Sequence, residues 1–292
     1  MVQIRMHGQG SRKNPFCSKG EFHPCLFPLP EIHMPDLSDI LWVREDLTYF
    51  CYPKLSLNQQ LIHGVFARCG GVSDPPYDSL NTSYSVGDRP ENVTANLSKI
   101  KKTILAKHLI FMNQSHGADI HILRKDDFER QGAVPSVDAM ITDMPGVAIL
   151  VKQADCQGII IFDPGNGVVA NVHSGWRSNV RNILGRTIAR MREDFGSHAP
   201  DLLAAIGPSL GPCCAEFVSY KEIFPKEFER FMVRKNYFDL WAVSYWQLLE
   251  AGLRKENIEL AGICTSCRTD LFYSYRGEGK TGRFATVAML KN

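Results

Sequence analysis

The sequence predicts a mixed α+β or α/β domain. Apolar runs typical of strands alternate loosely with segments of helical periodicity, and no internal repeat is visible. The chain has 292 residues, of which 44% are hydrophobic and 22% are charged. It is therefore long enough to bury a large core, either as one large domain or as two closely packed ones.

Three segments predict helices, because their apolar residues recur at intervals of three or four positions. The clearest carries Val93, Leu97, Ile100 and Ile104. The predicted helices cover residues 92–108, 179–195 and 237–253.

Strands are predicted where short apolar runs end at polar or small residues. Residues 147–151 (VAILV) end just before Gln153, and residues 168–172 (VVANV) end at His173. A further strand in IELAGICTSC, which begins at Ile258, leads into a loop. Strand ends are where loops present side chains to a site.

Residues 1–40 differ from the rest of the chain. They contain many Gly, Pro, Ser and His residues without hydrophobic periodicity, which predicts an irregular N-terminal extension. The histidines and cysteines of this segment fit no zinc-finger spacing. The remaining residues, 41–292, form the predicted folded domain.

Charge and hydropathy favour a cytoplasmic enzyme. The formal net charge is +2 and no block of Lys and Arg stands out, so we expect no nucleic-acid partner. We expect neither a membrane span nor a secretory signal, because no apolar stretch approaches ~20 residues. Nine scattered cysteines, an odd number, favour reduced thiols over a disulfide framework.

Three separate segments each offer one metal ligand beside small or polar residues. They are NQSHG at 113–117, QADC at 153–156 and VHSGW at 172–176. Their ligands are His116, Cys156 and His173, a set that zinc accepts while leaving a fourth position open. The spacing alone matches no fixed motif, so a buried Cys and unrelated histidines stay open as the alternative.

The order of several segments resembles the YfiH-type family, whose members are described both as multicopper polyphenol oxidase (laccase) domain proteins and as purine nucleoside phosphorylases. The resemblance covers roughly residues 60–290. The matching segments are ARCGGVSDPPYDSLN, VGDRPENVTAN, QSHGADIH, DAMIT, PGVAILVKQADC, GVVANVHSGWR, IGPSLGPCCAEF and CTSCRTDLFYSYRGEGKTGR.

The resemblance implies a single large α+β domain with mixed sheets in a four-layer α/β/β/α arrangement. It also implies that zinc is held by His116, Cys156 and His173. The implied activity is phosphorolysis of adenosine, inosine and S-methyl-5'-thioadenosine, together with adenosine deamination. The expected partners are therefore purine nucleosides and phosphate, and we expect a monomer or a weak homo-oligomer.

Two other functions stay open. Cys156 and His173 could form the thiolate and general base of a metal-free cysteine hydrolase. A copper-dependent polyphenol oxidase is disfavoured, because its copper clusters need many histidines and none of the nine histidines forms a His-X-His pair.

The nucleoside reactions need a proton carrier and a cationic phosphate seat. The His-X-Glu and Pro-Cys-X-X-Cys pattern of zinc nucleoside deaminases is absent, so Asp155 is the predicted proton carrier, with ligand orientation or turn capping as its alternative role. Arg68 is the predicted phosphate seat because Gly70 and Gly71 allow close backbone approach. Arg177 and Arg283 are further substrate-binding candidates.

Two short motifs predict no site of their own. GEGKT at 277–281 is not a phosphate loop, because the position of its first glycine is Ser274 and too few residues follow. Cys264 and Cys267 form a CxxC without a second CxxC or a thioredoxin-type helix, which favours a buried structural pair.

Overall fold

Two six-stranded mixed sheets form the centre of the fold. The structure is a computed structural model that describes residues 41–44, 46–128 and 136–291. The strands are β1 (Leu41–Arg44), β2 (Thr48–Cys51), β3 (Leu61–Phe66), β4 (His108–Phe111), β5 (Ile120–Ile122), β6 (Ala139–Thr142), β7 (Val147–Gln153), β8 (Gln157–Asp163), β9 (Val168–Ser174), β10 (Leu203–Ile206), β11 (Met232–Arg234), β12 (Tyr237–Phe238), β13 (Ile258–Leu260) and β14 (Phe284–Leu290).

Helices connect or flank these strands. They are α1 (Pro53–Ser56), α2 (Pro90–Thr103), α3 (Trp176–Val180), α4 (Ile183–Phe195), α5 (Tyr220–Ile223), α6 (Leu240–Glu250) and α7 (Tyr275–Glu278). No helix among the described residues is both long enough and apolar enough to cross a lipid bilayer.

The two sheets contain both parallel and antiparallel pairs. The first sheet has the order β1-β2-β3-β14-β7-β4, with β4 parallel to β7. The second has the order β13-β10-β8-β9-β6-β5, with β13 parallel to β10 and β5 parallel to β6. Strands β11 and β12 form a separate hairpin. These mixed sheets confirm the predicted α+β class.

Three apolar clusters hold the layers together. One joins α2 to the first sheet, through residues such as Leu97 and Val287. A second lies between the sheets, where Val65 of the first shares the cluster with Ile160 of the second. A third joins the outer face of the second sheet to α4 and α6. The clusters therefore pack helices against each sheet and pack the two sheets on each other.

Most predicted elements are present, with different boundaries. Helix α2 ends before Leu105, whose φ of 55° breaks the helix ahead of β4. The helix predicted over 179–195 is divided at Asn182, where the backbone is left-handed and the side chain caps α4. Asp239 caps α6, so the third helix begins after β12. The predicted extension of residues 1–40 lies outside the described residues.

Candidate metal centre

His116, Cys156 and His173 come together where the two sheets meet. His116 lies in the loop between β4 and β5, Cys156 in the turn from β7 to β8, and His173 near the end of β9. Their ligand atoms all lie within 4.8 Å of one another. Two imidazoles and a thiolate at this separation form a donor set that suits zinc. The structure thus brings all three predicted ligands into one group.

Asp138, the residue immediately before β6, organises this group. Its Oδ1 lies 2.8 Å from Nδ1 of His173 and accepts the backbone N–H of His116 at 2.9 Å. Its Oδ2 accepts the Gly117 N–H at 2.6 Å and the Ser115 hydroxyl at 2.9 Å. Because Nδ1 of His173 faces the carboxylate, Nε2 is left to serve as the ligand nitrogen.

Mutual electrostatics set the ionisation of these side chains. Burial raises the pKa of Cys156, but the charge of His173 and hydrogen bonds from both histidines outweigh it and lower the pKa to about 6. Burial lowers the pKa of His173, but Cys156 and Asp138 together raise it to about 9. Burial likewise opposes ionisation of Asp138, yet its contacts with His173 bring the pKa to about 2. These interactions therefore favour the thiolate form of Cys156, the form that acts as a metal ligand or a nucleophile.

Backbone conformation keeps the space around the ligands open. His116 has a φ of 58°, a left-handed conformation that the hydrogen bonds to Asp138 hold in place. Gly175 follows β9, and a Cβ at this position would lie 2.9 Å from Sγ of Cys156. Glycine at 175 therefore leaves room beside the sulfur.

Asp155 performs a structural task beside the ligand Cys156. Its Oδ1 accepts the hydroxyls of Thr265 and Ser274, at 2.8 and 2.6 Å. Its Oδ2 accepts the backbone N–H of Arg276 at 2.6 Å. With both oxygens engaged in fixing loops, its geometry favours the orienting role over the predicted proton transfer.

The guanidinium of Arg68 is hydrogen-bonded to neighbouring protein groups. It is buried, donates from Nη1 to the Thr269 carbonyl and to Glu278, both at 2.7 Å, and stacks on the Tyr273 ring at 4.5 Å. Its Nε donates to the Asp78 carbonyl. The geometry therefore makes Arg68 a clamp for the loop before β14, which disfavours its predicted role as the phosphate seat.

Arg283 interacts electrostatically with Cys156 and Asp155 of the candidate metal centre. Burial lowers the pKa of this guanidinium, while the negative charges of Cys156 and Asp155 raise it. Its Nη1 donates to the carbonyls of Thr281 and Gly282. Arg177, by contrast, is exposed and stacks on Trp176 at 4.3 Å.

Sequence reasoning missed Asp138, although its strand lies within the matching DAMIT segment. A carboxylate next to a buried strand was a signal, but its partner is 35 residues away in the sequence. A separate cavity of about 270 Å³ lies near Cys51, His63 and Leu105. None of the three ligands lines this cavity.

Known proteins with a similar sequence and fold exist. The family model described as multi-copper polyphenol oxidoreductase laccase matches residues 62–291. A Bacteroides thetaiotaomicron protein named purine nucleoside phosphorylase is 31% identical over 268 residues, which cover 85% of this chain and 98% of that protein. The purine nucleoside phosphorylase YlmD of Geobacillus stearothermophilus is 31% identical over 239 residues, 76% of this chain and 87% of that one.

Solved structures show the same fold. The crystal structure of YlmD from Geobacillus stearothermophilus superimposes with a TM-score of 0.77 at 27% identity, covering 87% of this chain and 100% of that chain. The structure of YfiH from Bacillus licheniformis gives a TM-score of 0.76 at 27% identity, covering 83% of this chain and 96% of that chain.

Proposed function

The chain belongs to the multi-copper polyphenol oxidoreductase laccase family, and on this premise we propose that it is a zinc-dependent purine nucleoside phosphorylase with adenosine deaminase activity. The proposed substrates are adenosine, inosine and S-methyl-5'-thioadenosine, with phosphate as the second reactant. The observation that carries the proposal is the convergence of His116, Cys156 and His173 within 4.8 Å, in a chain whose relatives are named purine nucleoside phosphorylases.

The donor set fits a catalytic zinc ion. Two imidazoles and one thiolate leave one tetrahedral position open, and a carboxylate supports one imidazole as in known zinc sites. When bound, zinc supplies Lewis acidity that polarises an oxygen atom of water or of the substrate. Asp138 holds the ring of His173 and the backbone of His116 in position. His116 is exposed, which gives a substrate access to the centre.

Arg283 is the proposed seat of phosphate. Phosphorolysis needs a cation that holds phosphate next to the developing positive charge on the sugar, and a guanidinium does so through paired hydrogen bonds. Arg283 is half-buried and interacts electrostatically with Cys156, whereas Arg68 is occupied by Thr269 and Glu278.

Tyr275 is the proposed platform for the purine base. Tyr275 is 63% exposed, and its ring centroid is 6.0 Å from the Arg283 guanidinium. An exposed aromatic ring next to the phosphate seat lets a purine stack on it while its sugar faces the cation.

A metal-free cysteine hydrolase is the second candidate, and one observation favours it. Cys156, His173 and Asp138 form a thiol, imidazole and carboxylate series like that of cysteine hydrolases. Chelation distinguishes the two candidates, because a zinc chelator abolishes the nucleoside reactions and leaves a thiol hydrolase active.

A copper oxidase finds less support. The described parts of the chain contain two groups of potential metal ligands. One has two histidines and a cysteine, and the other has four cysteines. Copper clusters of oxidases rely on many more imidazoles.

The test is incubation of the metal-analysed protein with adenosine, with and without phosphate, followed by chromatography of the products. With phosphate we expect adenine and ribose 1-phosphate, and inosine should likewise give hypoxanthine. Without phosphate, adenosine should slowly give inosine. The His116→Ala and His173→Ala variants should lose the zinc ion of the His116, Cys156 and His173 centre together with the activity while staying folded, and the exposed His198→Ala variant is the matched control. Oxidation of phenols with bound copper, without turnover of nucleosides, would contradict the proposal.

A further inference from the structure

We propose that Cys213, Cys214, Cys264 and Cys267 bind a second zinc ion as a structural tetrathiolate site. The four sulfur atoms all lie within 4.8 Å of one another. This site is separate from the proposed catalytic zinc, shares no ligand with it and does not depend on the proposed nucleoside chemistry.

The fold brings two distant cysteine pairs together. Strands β10 and β13 are parallel neighbours, so their carboxyl ends lie side by side. The segments that follow these two strands remain hydrogen-bonded to each other. The Ser209 N–H donates to the Ile263 carbonyl, and the Thr265 N–H donates to the Ser209 carbonyl. The two loops that carry the cysteine pairs are thereby held against each other.

The sulfur positions fit tetrahedral coordination. Sγ of Cys267 lies 3.5 Å from Sγ of Cys213 and 3.5 Å from Sγ of Cys214. A Zn–S bond of about 2.3 Å places tetrahedral ligand sulfurs about 3.8 Å apart, so small shifts suffice to admit the ion. All four cysteines are free thiols. Four thiolates are the ligands of closed, structural zinc sites.

The surroundings suit a site with excess negative charge. Zn²⁺ with four thiolates carries a net charge of −2. Arg234 donates to the Cys213 carbonyl at 3.0 Å and Arg276 donates to the Cys214 carbonyl at 3.2 Å, so two guanidinium groups lie next to the cluster. The Gly211 N–H donates to Sγ of Cys264 at 3.3 Å. Such N–H to sulfur hydrogen bonds support thiolate ligands.

Simple apolar packing does not explain the cluster. Cys264 belongs to the core, but Cys213, Cys214 and Cys267 are only half-buried, in loops without strand or helix. Cysteines that only packed on the core as small apolar side chains would not need to bring their four sulfur atoms together. An ion bound by all four sulfurs, however, would join the two loops and stabilise them.

The site would also support the wall of the candidate metal centre. Thr265, inside the CxxC loop, donates to Asp155, and the Leu210 N–H donates to the Asp155 carbonyl at 2.9 Å. Arg276 links Cys214 to Asp155 through its side chain and its backbone. The proposed tetrathiolate thus fixes the residue that precedes the ligand Cys156.

Zinc stoichiometry of the purified full-length protein, kept reduced, tests the site. We expect two zinc ions per chain in the wild type, one in His116→Ala/His173→Ala and one in Cys264→Ser/Cys267→Ser. The matched control is Cys51→Ser/Cys69→Ser, which alters two cysteines outside both groups and should keep two ions. In the histidine variant, X-ray absorption of the single remaining zinc should show only sulfur neighbours at about 2.3 Å.

The opposite results are equally clear. A histidine variant without zinc, or a mass that shows disulfides among the four cysteines after reduction, would overturn the site. If the serine variant does not fold, the wild-type stoichiometry and the absorption spectrum of the histidine variant still decide the question. A protein with the sulfur-bound zinc but no nucleoside turnover would leave this inference intact.

Discussion

The Nδ1 atom of His173 lies 2.8 Å from Oδ1 of Asp138, and the same carboxylate oxygen accepts the backbone N–H of His116. One carboxylate therefore positions two of the three proposed zinc ligands, although it binds no metal itself. The convergence of the ligands depends on this residue as much as on the ligands.

Asp138→Asn should weaken zinc binding about 10- to 100-fold, because the amide is a poorer acceptor for the His173 imidazole and leaves its tautomer unfixed. Competition with a chromophoric chelator measures the change. Asp119→Asn, an exposed carboxylate nearby, is the control and should bind zinc as the wild type does. Equal affinity in both variants would show that Asp138 does not position the ligands.

Arg283→Ala should lower kcat/KM for phosphorolysis by about 10²-fold, a loss of roughly 3 kcal/mol of transition-state stabilisation, while zinc content stays normal. Deamination, which uses no phosphate, should fall much less. Parallel assays with and without phosphate measure both activities. Equal losses in the two reactions would make Arg283 a general substrate clamp.

Arg68→Ala should instead destabilise the protein by about 2 kcal/mol, because Glu278 and two backbone carbonyls lose a charged donor. Urea unfolding measures the loss, and both activities should fall together. Arg89→Ala, which removes an exposed ion pair with Asp74, is the control for stability. Selective loss of phosphorolysis in a stable Arg68→Ala protein would restore Arg68 as the phosphate seat.

Gly175→Ala should reduce zinc affinity and activity without unfolding the protein, since the new methyl carbon would lie 2.9 Å from Sγ of Cys156. Zinc competition and the nucleoside assay measure the effect. Gly165→Ala, in the exposed turn between β8 and β9, tests the same substitution where the nearest atom is 3.3 Å away. Full zinc affinity in Gly175→Ala would show that the space beside the sulfur is not needed.

His63 should make the fold sensitive to acid. Burial lowers the pKa of His63 to about 4, and its Nε2 accepts the Tyr52 N–H at 2.8 Å. A histidine in the unfolded chain has a pKa near 6.5. Between pH 6.5 and 4, His63 is therefore protonated in the unfolded chain but neutral in the folded protein. The contribution of His63 to the free energy of unfolding should therefore be fully present above pH 6.5 and should fall by about 3 kcal/mol as the pH drops to 4.

Urea unfolding of wild type and His63→Gln across this pH range measures that loss, since glutamine removes the titration and keeps an acceptor for Tyr52. The difference between the two proteins isolates His63, because zinc release affects both. His198→Gln, at an exposed site, is the control. The same pH dependence in wild type and His63→Gln would show that His63 is not responsible.

Cys156 and His173 could be proposed as metal ligands from sequence because each follows a strongly apolar predicted strand, β7 or β9. The α+β class followed from the same patterns. His116 follows no predicted strand, and its proposed role rested on its short polar segment and on the family resemblance. Helix boundaries were less accurate: the break at Asn182 depends on a left-handed residue that periodicity does not reveal.

Contacts between distant segments could not be predicted in this way. The cysteine pairs meet only because β10 and β13 are parallel neighbours, and no local pattern specifies that pairing. Arg68 stood next to glycines and suggested a ligand site, whereas its partner Glu278 lies 210 residues further along the chain.

Strand β14 has a consequence for synthesis on the ribosome. It lies between β3 and β7 and pairs with both, so residues 284–290 join the two halves of the first sheet. Until they emerge, β3 and β7 both present unpaired edges that invite association with other chains. We therefore expect the first sheet to be completed only after these residues are translated, and a chain that lacks them to aggregate more readily than the whole one.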